Sequence, residues 1–96
     1  MEIEEHFFTS AADAEFQLHY ERYGDALYDA VVRAIGQLRR FPESGPIYED
    51  PVRRLVIHGT PLGLFYGIHG RRLAIVAILD LRQDPESITR RLGTRT

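Results

Sequence analysis

The chain has no cysteine, which excludes disulfides, thiolate zinc sites and cysteine nucleophiles and fits a reducing compartment. It has no lysine either: all twelve basic residues are arginine. Genome base composition accounts for that bias most simply, although guanidinium forks also bind carboxylate and phosphate bidentately. No apolar run approaches the roughly 20 residues of a membrane span, and Glu2, Glu4 and Glu5 sit where a secretory leader carries positive charge. The expectation is a soluble, cytoplasmic protein. Gly59, Gly63, Gly67 and Gly70 are scattered through strand and turn patterns rather than opening a helix, so no phosphate loop is present and no cofactor is implied. There is no repeat, linker or low-complexity segment.

What the chain does have is one stretch apolar on both parities, Arg72-Leu73-Ala74-Ile75-Val76-Ala77-Ile78-Leu79-Asp80. Strict alternation puts Leu73, Ile75, Ala77 and Leu79 on one face and Ala74, Val76 and Ile78 on the other, so neither face tolerates water. A short apolar run is compatible with a helix. Gly70 before it, Gln83-Asp84-Pro85 after it and its β-branched content favour the central strand of a sheet.

The 96 residues suit one domain, 1–96, large enough to bury about two-thirds of its unfolded surface. Around the strand, the remaining elements follow in order. Residues 1–8 alternate about Ile3 and end in Phe7-Phe8, a short edge strand guarded by glutamates. Ser10 precedes Asp13 at capping-box spacing, so a helix begins there, with Phe16, Tyr20 and Tyr23 as its apolar stripe and Gly24 as its stop. Asp25 is the expected cap of a second helix, whose Leu27, Val31, Ala34, Ile35, Leu38 and Phe41 share one face until Pro42 ends it. Residues 43–51 read as a crossing loop. Residues 52–58 and 62–69 then read as strands of an antiparallel meander with 72–80, with Leu62, Leu64, Tyr66 and Ile68 on one face. Asp84-Pro85 opens a short C-terminal helix with only Ile88 and Leu92 to bury. The predicted fold is α+β, an α-helical hairpin packed on an antiparallel sheet.

The net charge of −2 is unevenly placed. Residues 1–50 carry eleven acidic groups and four arginines, whereas 51–96 carry eight arginines against Asp80, Asp84 and Glu86. His6, His19, His58 and His69 lack the spacing of a metal-ligand pair, and Ser10, Ser44 and Ser87 lie in cap or turn contexts. The group with most chemical interest is Arg53, Arg54, Tyr66, Asp80, Arg82 and Asp84. Arginines beside a tyrosine could hold a phosphodiester, stabilise added negative charge and move a proton. The alternative is that Arg53 and Arg54 are solvated edge residues, Tyr66 is core, and Asp80 pairs with an arginine across the sheet.

The segments Leu38-Arg39-Arg40-Phe41-Pro42-Glu43-Ser44-Gly45, Val52-Arg53-Arg54-Leu55, Leu64-Phe65-Tyr66-Gly67-Ile68, 73–79 and Arg82-Gln83-Asp84-Pro85, in that order and spacing, resemble the RelE/ParE superfamily of bacterial toxins. The resemblance covers nearly the whole chain and implies the toxin half of a type II toxin-antitoxin module of the plasmid-stabilisation kind, silenced by a cognate antitoxin. RelE-like members enter the ribosomal A site and cut mRNA, and that activity would rest here on Arg54, Tyr66 and Arg82. ParE-like members inhibit DNA gyrase and are not enzymes. Asp80 stands where many relatives have histidine, Arg95-Thr96 offers no tyrosine, and the isoelectric point near 6.0 is low for a ribosome-directed protein. These departures favour the ParE-like alternative, with Arg53, Arg54, Arg82, Arg90 and Arg91 as target-binding residues and the acidic hairpin supporting antitoxin binding or self-association, as a homodimer or a heterotetramer with antitoxin. A family member that only binds its antitoxin is the third reading.

Overall fold

A computed structural model describes residues 2–93; Arg95-Thr96, used above, lie outside the described residues. The order is β1 (Glu5–Phe8), α1 (Ser10–Tyr23), α2 (Asp25–Arg40), β2 (Ile47–Glu49), β3 (Val52–Val56), β4 (Leu62–His69), β5 (Arg72–Asp80) and α3 (Pro85–Gly93). The five strands form one sheet in the order β1-β5-β4-β3-β2. All neighbours are antiparallel except β1, which the helical hairpin carries back to lie parallel to β5. This is the α+β architecture expected.

The apolar 72–80 segment is a strand buried on both faces, flanked by β1 and β4, although the middle position of the five belongs to β4. Its faces are not the ones strict alternation assigns. Phe65 pairs with Ala77 but Tyr66 pairs with Ile75, so Val76 is an extra residue that bulges β5 and switches the parity. Leu73, Ile75 and Ile78 join the core beneath the hairpin, whereas Ala74, Val76, Ala77 and Leu79 pack on the opposite side with Phe65, Ile88 and Leu92. The molecule therefore has three layers: α1 and α2, the sheet, and α3. Burying Ile88 and Leu92 docks α3 on a face that would otherwise expose β5.

Several local expectations shift by a residue. Thr9, not Ser10, caps α1: its Oγ1 accepts from the Ala12 N–H at 3.2 Å, while its own N–H donates to the Ile75 carbonyl and so also ends the β1 ladder. Asp25 is the first residue of α2 rather than its cap, and accepts a short hydrogen bond from the Tyr20 hydroxyl. The tight link between the helices needs Gly24, whose φ of 68° lies in the left-handed region. Residues 47–49 of the expected loop form the edge strand β2. Phe41 falls outside the α2 stripe and is 61% exposed, because the helix has already ended at Arg40 and φ −132°, ψ 74° turn the chain away.

The remaining stripe, Leu27, Val31, Ala34, Ile35 and Leu38, is buried as expected. Val31 is 4% exposed at its centre. Replacing it with aspartate would place a charge among apolar side chains with no partner, a change of several kcal/mol, about the whole stability of a domain this size. Val31→Asp should therefore lose its cooperative thermal transition by circular dichroism; a sharply melting variant would show that this helix face is not core.

Candidate functional site

Strand β3 presents consecutive arginines, and consecutive strand residues face opposite ways. Arg53 pairs with Tyr66 on the hairpin side, and Arg54 pairs with Phe65 on the α3 side. They therefore do not act together. The Arg53 Nη1 donates to the carbonyls of Gly45 at 2.8 Å and Glu43 at 3.2 Å, fastening the loop that follows α2. Arg54 stacks its guanidinium over the Tyr48 ring at 5.2 Å, and that ring packs edge-on against Phe65.

Tyr66 is fully buried. Its hydroxyl donates to the Pro42 carbonyl at 2.7 Å and accepts from the Gly45 N–H at 3.0 Å. Burial pushes the phenol pKa up. Gly45 is required by this closeness: a Cβ there would come within 2.7 Å of the Tyr66 oxygen and 2.8 Å of the Arg54 carbonyl. Tyr66 thus ties the 42–45 loop to the sheet, and its proton is engaged internally.

Asp80 and Arg82 close on one another at the end of β5. Arg82 donates through Nε to Asp80 Oδ1 at 3.0 Å, through Nη2 to Oδ2 at 2.7 Å, and through its backbone N–H to Oδ1 at 2.9 Å. These bonds hold the Asp80 carboxyl at about 2, well below its usual range, and raise the Arg82 pKa. Asp80 pairs across with Leu62 on the hairpin side, so Arg82 lies on that side too. Arg90 and Arg91 are carried by the last turn of α3, on the side of Arg54. The five candidate target-binding arginines are thereby divided: Arg54, Arg90 and Arg91 with α3, and Arg53 and Arg82 with the hairpin. The alternative set Arg54, Tyr66 and Arg82 is not brought together around a common point.

Sequence reasoning did not find the side chains of α1 that complete the outer edge of β5. Beyond the end of β1, Glu15 accepts from the Ile78 N–H at 3.0 Å, His19 Nε2 lies 3.1 Å from the Ile78 carbonyl, and Thr9 donates to the Val76 carbonyl at 3.5 Å. Nothing in their spacing signals it, because the contact depends on where β1 ends. Among the described residues no three histidine, aspartate or glutamate side chains converge to hold a metal. No helix of the described residues is long and apolar enough to cross a membrane.

No family model matches the chain, and no curated protein matches it. A solved structure does. The fold is shared with a chain of the chromosomal ParDE TA system from P. aeruginosa. The two are 21% identical, the match covers 79% of this chain and 92% of that one, and the TM-score is 0.64. The α+β architecture is accordingly RelE/ParE-like.

Two outcomes check this geometry. Tyr66→Phe should unfold with about 1–3 kcal/mol less stability, because the Pro42 carbonyl and Gly45 N–H lose a buried partner; an unchanged denaturation midpoint would mean the hydroxyl is not anchoring the loop. The Asp80 pKa is depressed in the folded state, so its stabilisation is present above the unfolded value near 4 and is lost as pH falls toward 2. Arg82→Ala should flatten that part of the stability profile between about pH 4 and pH 2, followed by chemical denaturation at each pH.

Proposed function

We propose that the chain is the toxin of a bacterial type II toxin-antitoxin module, that it is ParE-like, and that it acts on DNA gyrase by binding rather than by catalysis. The shared fold with a chain of a ParDE TA system is the observation that carries the toxin reading. By the same analogy a cognate antitoxin is its partner.

The non-catalytic mechanism is supported by what the candidate side chains are already doing. A ribosome-directed nuclease needs a proton carrier beside the phosphodiester. Here the Tyr66 hydroxyl is turned into the protein and bonded on both sides, and Arg54 and Tyr66 project from opposite faces of the sheet. Asp80, in place of a histidine, is an ionised carboxylate held by Arg82. The surface proposed for gyrase is the α3 side, where Arg54 is oriented over the Tyr48 ring and Arg90 and Arg91 are carried by the last turn of α3. The toxin would hold the gyrase-DNA complex in its cleaved state through these contacts.

Purified protein should be incubated with gyrase and supercoiled plasmid, and the mixture denatured and run on a gel. Linear DNA that requires both proteins, and that falls when Arg54 and Arg90 are both replaced by glutamate, is the expected result. Plasmid that stays intact at saturating protein would overturn the gyrase target. Release of cleaved mRNA from ribosomes on addition of the purified protein would overturn the non-catalytic mechanism.

A further inference from the structure

Helix α2 is apolar on part of its solvent side as well as on its buried one. Tyr28 and Val32, one turn apart, are 54% and 52% exposed, and no other described helix exposes two large apolar side chains. Beside them a hollow of about 240 Å³ opens between α1 and α2, with Phe8, Phe16, Val31 and Ile35 on its walls. Tyr28 lines it too, edge-on to the Phe16 ring at 6.4 Å. One turn beyond Val32 lies Gly36, exposed and inside the helix. Glycine there weakens the helix relative to alanine, yet a Cβ would meet no atom of the described chain within 4 Å. Nothing in the described chain calls for a glycine at that position.

Charge is ordered along the same helix. At about 3.6 residues per turn, Asp25, Asp29, Arg33 and Arg40 fall on one flank of the line through Val32, and Tyr28 and Ile35 fall on the other. The first flank is acidic in its N-terminal half and basic in its C-terminal half. Asp25 and Arg40, at the two ends, each complement the helix dipole. Asp29 and Arg33 sit farther in, and neither has a hydrogen-bond or ion-pair partner among the described residues. A flank whose sign reverses along its length is complementary to the same flank running the other way.

We infer that α2 packs antiparallel on α2 of a second copy of this chain, about a two-fold axis at Val32. Residues across such an isologous contact pair reciprocally, and Val32 meets Val32. A two-fold axis running between the helices keeps each flank beside its own counterpart while reversing its direction. Asp29 of each copy therefore lies next to Arg33 of the other, and Asp25 next to Arg40. On the opposite flank, Tyr28 of each copy packs on Val32 and Ile35 of the other and covers the mouth of its hollow. Gly36 lies one turn from the axis, where the missing side chain lets the two backbones approach. The hairpin and α3 lie on opposite sides of the sheet, so both α3 faces point away from this contact, and the inference does not rest on the gyrase reading.

The test is sedimentation of the full chain over about a hundredfold range of concentration, in which a dimer should form by mass action. Val32→Glu, at an exposed position, should keep the native circular dichroism spectrum and weaken the dimer by about tenfold or more, since it sets two carboxylates together at the axis. Asp29→Arg alone should weaken it about tenfold by facing like charges, and Asp29→Arg combined with Arg33→Asp should restore it, a rescue that damage to the fold would not give. Because the chain has no cysteine, Val32→Cys carries a single thiol and should crosslink on oxidation, whereas Leu18→Cys, exposed on α1, should not. A chain that stays monomeric throughout would overturn the inference and leave the face to a different protein. So would a dimer indifferent to Val32→Glu, a charge exchange that fails to restore association, or crosslinking that is as fast at position 18 as at 32. A dimer abolished by Arg54→Glu with Arg90→Glu would put the contact on the α3 side and overturn it as well. None of these readouts contains gyrase, so either reading can fail without the other.

Discussion

Everything in this fold answers to one constraint: β5 is apolar on both sides and must be covered on both. A half-buried strand would need one helical layer, but burial of Ala74, Val76, Ala77 and Leu79 as well as Leu73, Ile75 and Ile78 requires two. The hairpin supplies the first and α3 the second. The bulge at Val76 divides β5 between these layers: its N-terminal half offers Leu73 and Ile75 to the hairpin, and past the extra residue Ile78 takes that role while Ala77 and Leu79 turn to α3. Without the bulge, Ile78 would sit opposite Ile75 in parity and the hairpin would lose a large side chain at the end where α1 crosses the strand.

The polar residues that look chemical are largely holding this arrangement in place. Tyr66 and Arg53 occupy paired positions on adjacent strands, and both reach the same loop, one through Pro42 and Gly45 and the other through Gly45 and Glu43. That loop carries the chain from α2 to the far edge of the sheet. Fixing it sets where β2 pairs and therefore where the β3 edge becomes open. A buried hydroxyl with a donor and an acceptor both satisfied is a structural device, since moving its proton would leave one of them unpaired.

The fold was legible in the sequence wherever a pattern was long. The α2 stripe, the apolar 72–80 run and the alternating 62–69 strand each repeat their signal several times, and each element stands where it was read. What was not legible depended on partners distant in sequence. A three-residue strand at 47–49 exists only because β3 is beside it, the Thr9 cap is chosen over Ser10 because Thr9 also ends the pairing with β5, and the Val76 bulge is invisible in a run where every residue is apolar. The candidate site was legible as a list of residues but not as a geometry. Arg53 and Arg54 being neighbours in sequence guarantees that they face apart once they are in a strand, and whether Asp80 meets Arg82 or a substrate is decided by the turn after β5.

Charge shows the same gap between chain and space, with a consequence for recognition. The acidic first half and basic second half suggest a molecule with two electrical poles. In the structure β1 lies beside β5, and Glu4 and Glu5 meet Arg71 and Arg72 at 3.1 Å and 2.6 Å. Opposite ends of the sequence therefore compensate one another locally, and exposed pairs of this kind are screened within about 10 Å at moderate salt. What distinguishes the α3 side is then not a long-range field but a few guanidinium groups at short range, with Arg54 oriented by the Tyr48 ring. A partner of the kind proposed for that side would be selected by fit to planar, bidentate donors more than by electrostatic steering. That is the recognition suited to a tight protein complex, whereas loose association with a nucleic-acid backbone draws on accumulated positive charge that this chain has largely neutralised itself.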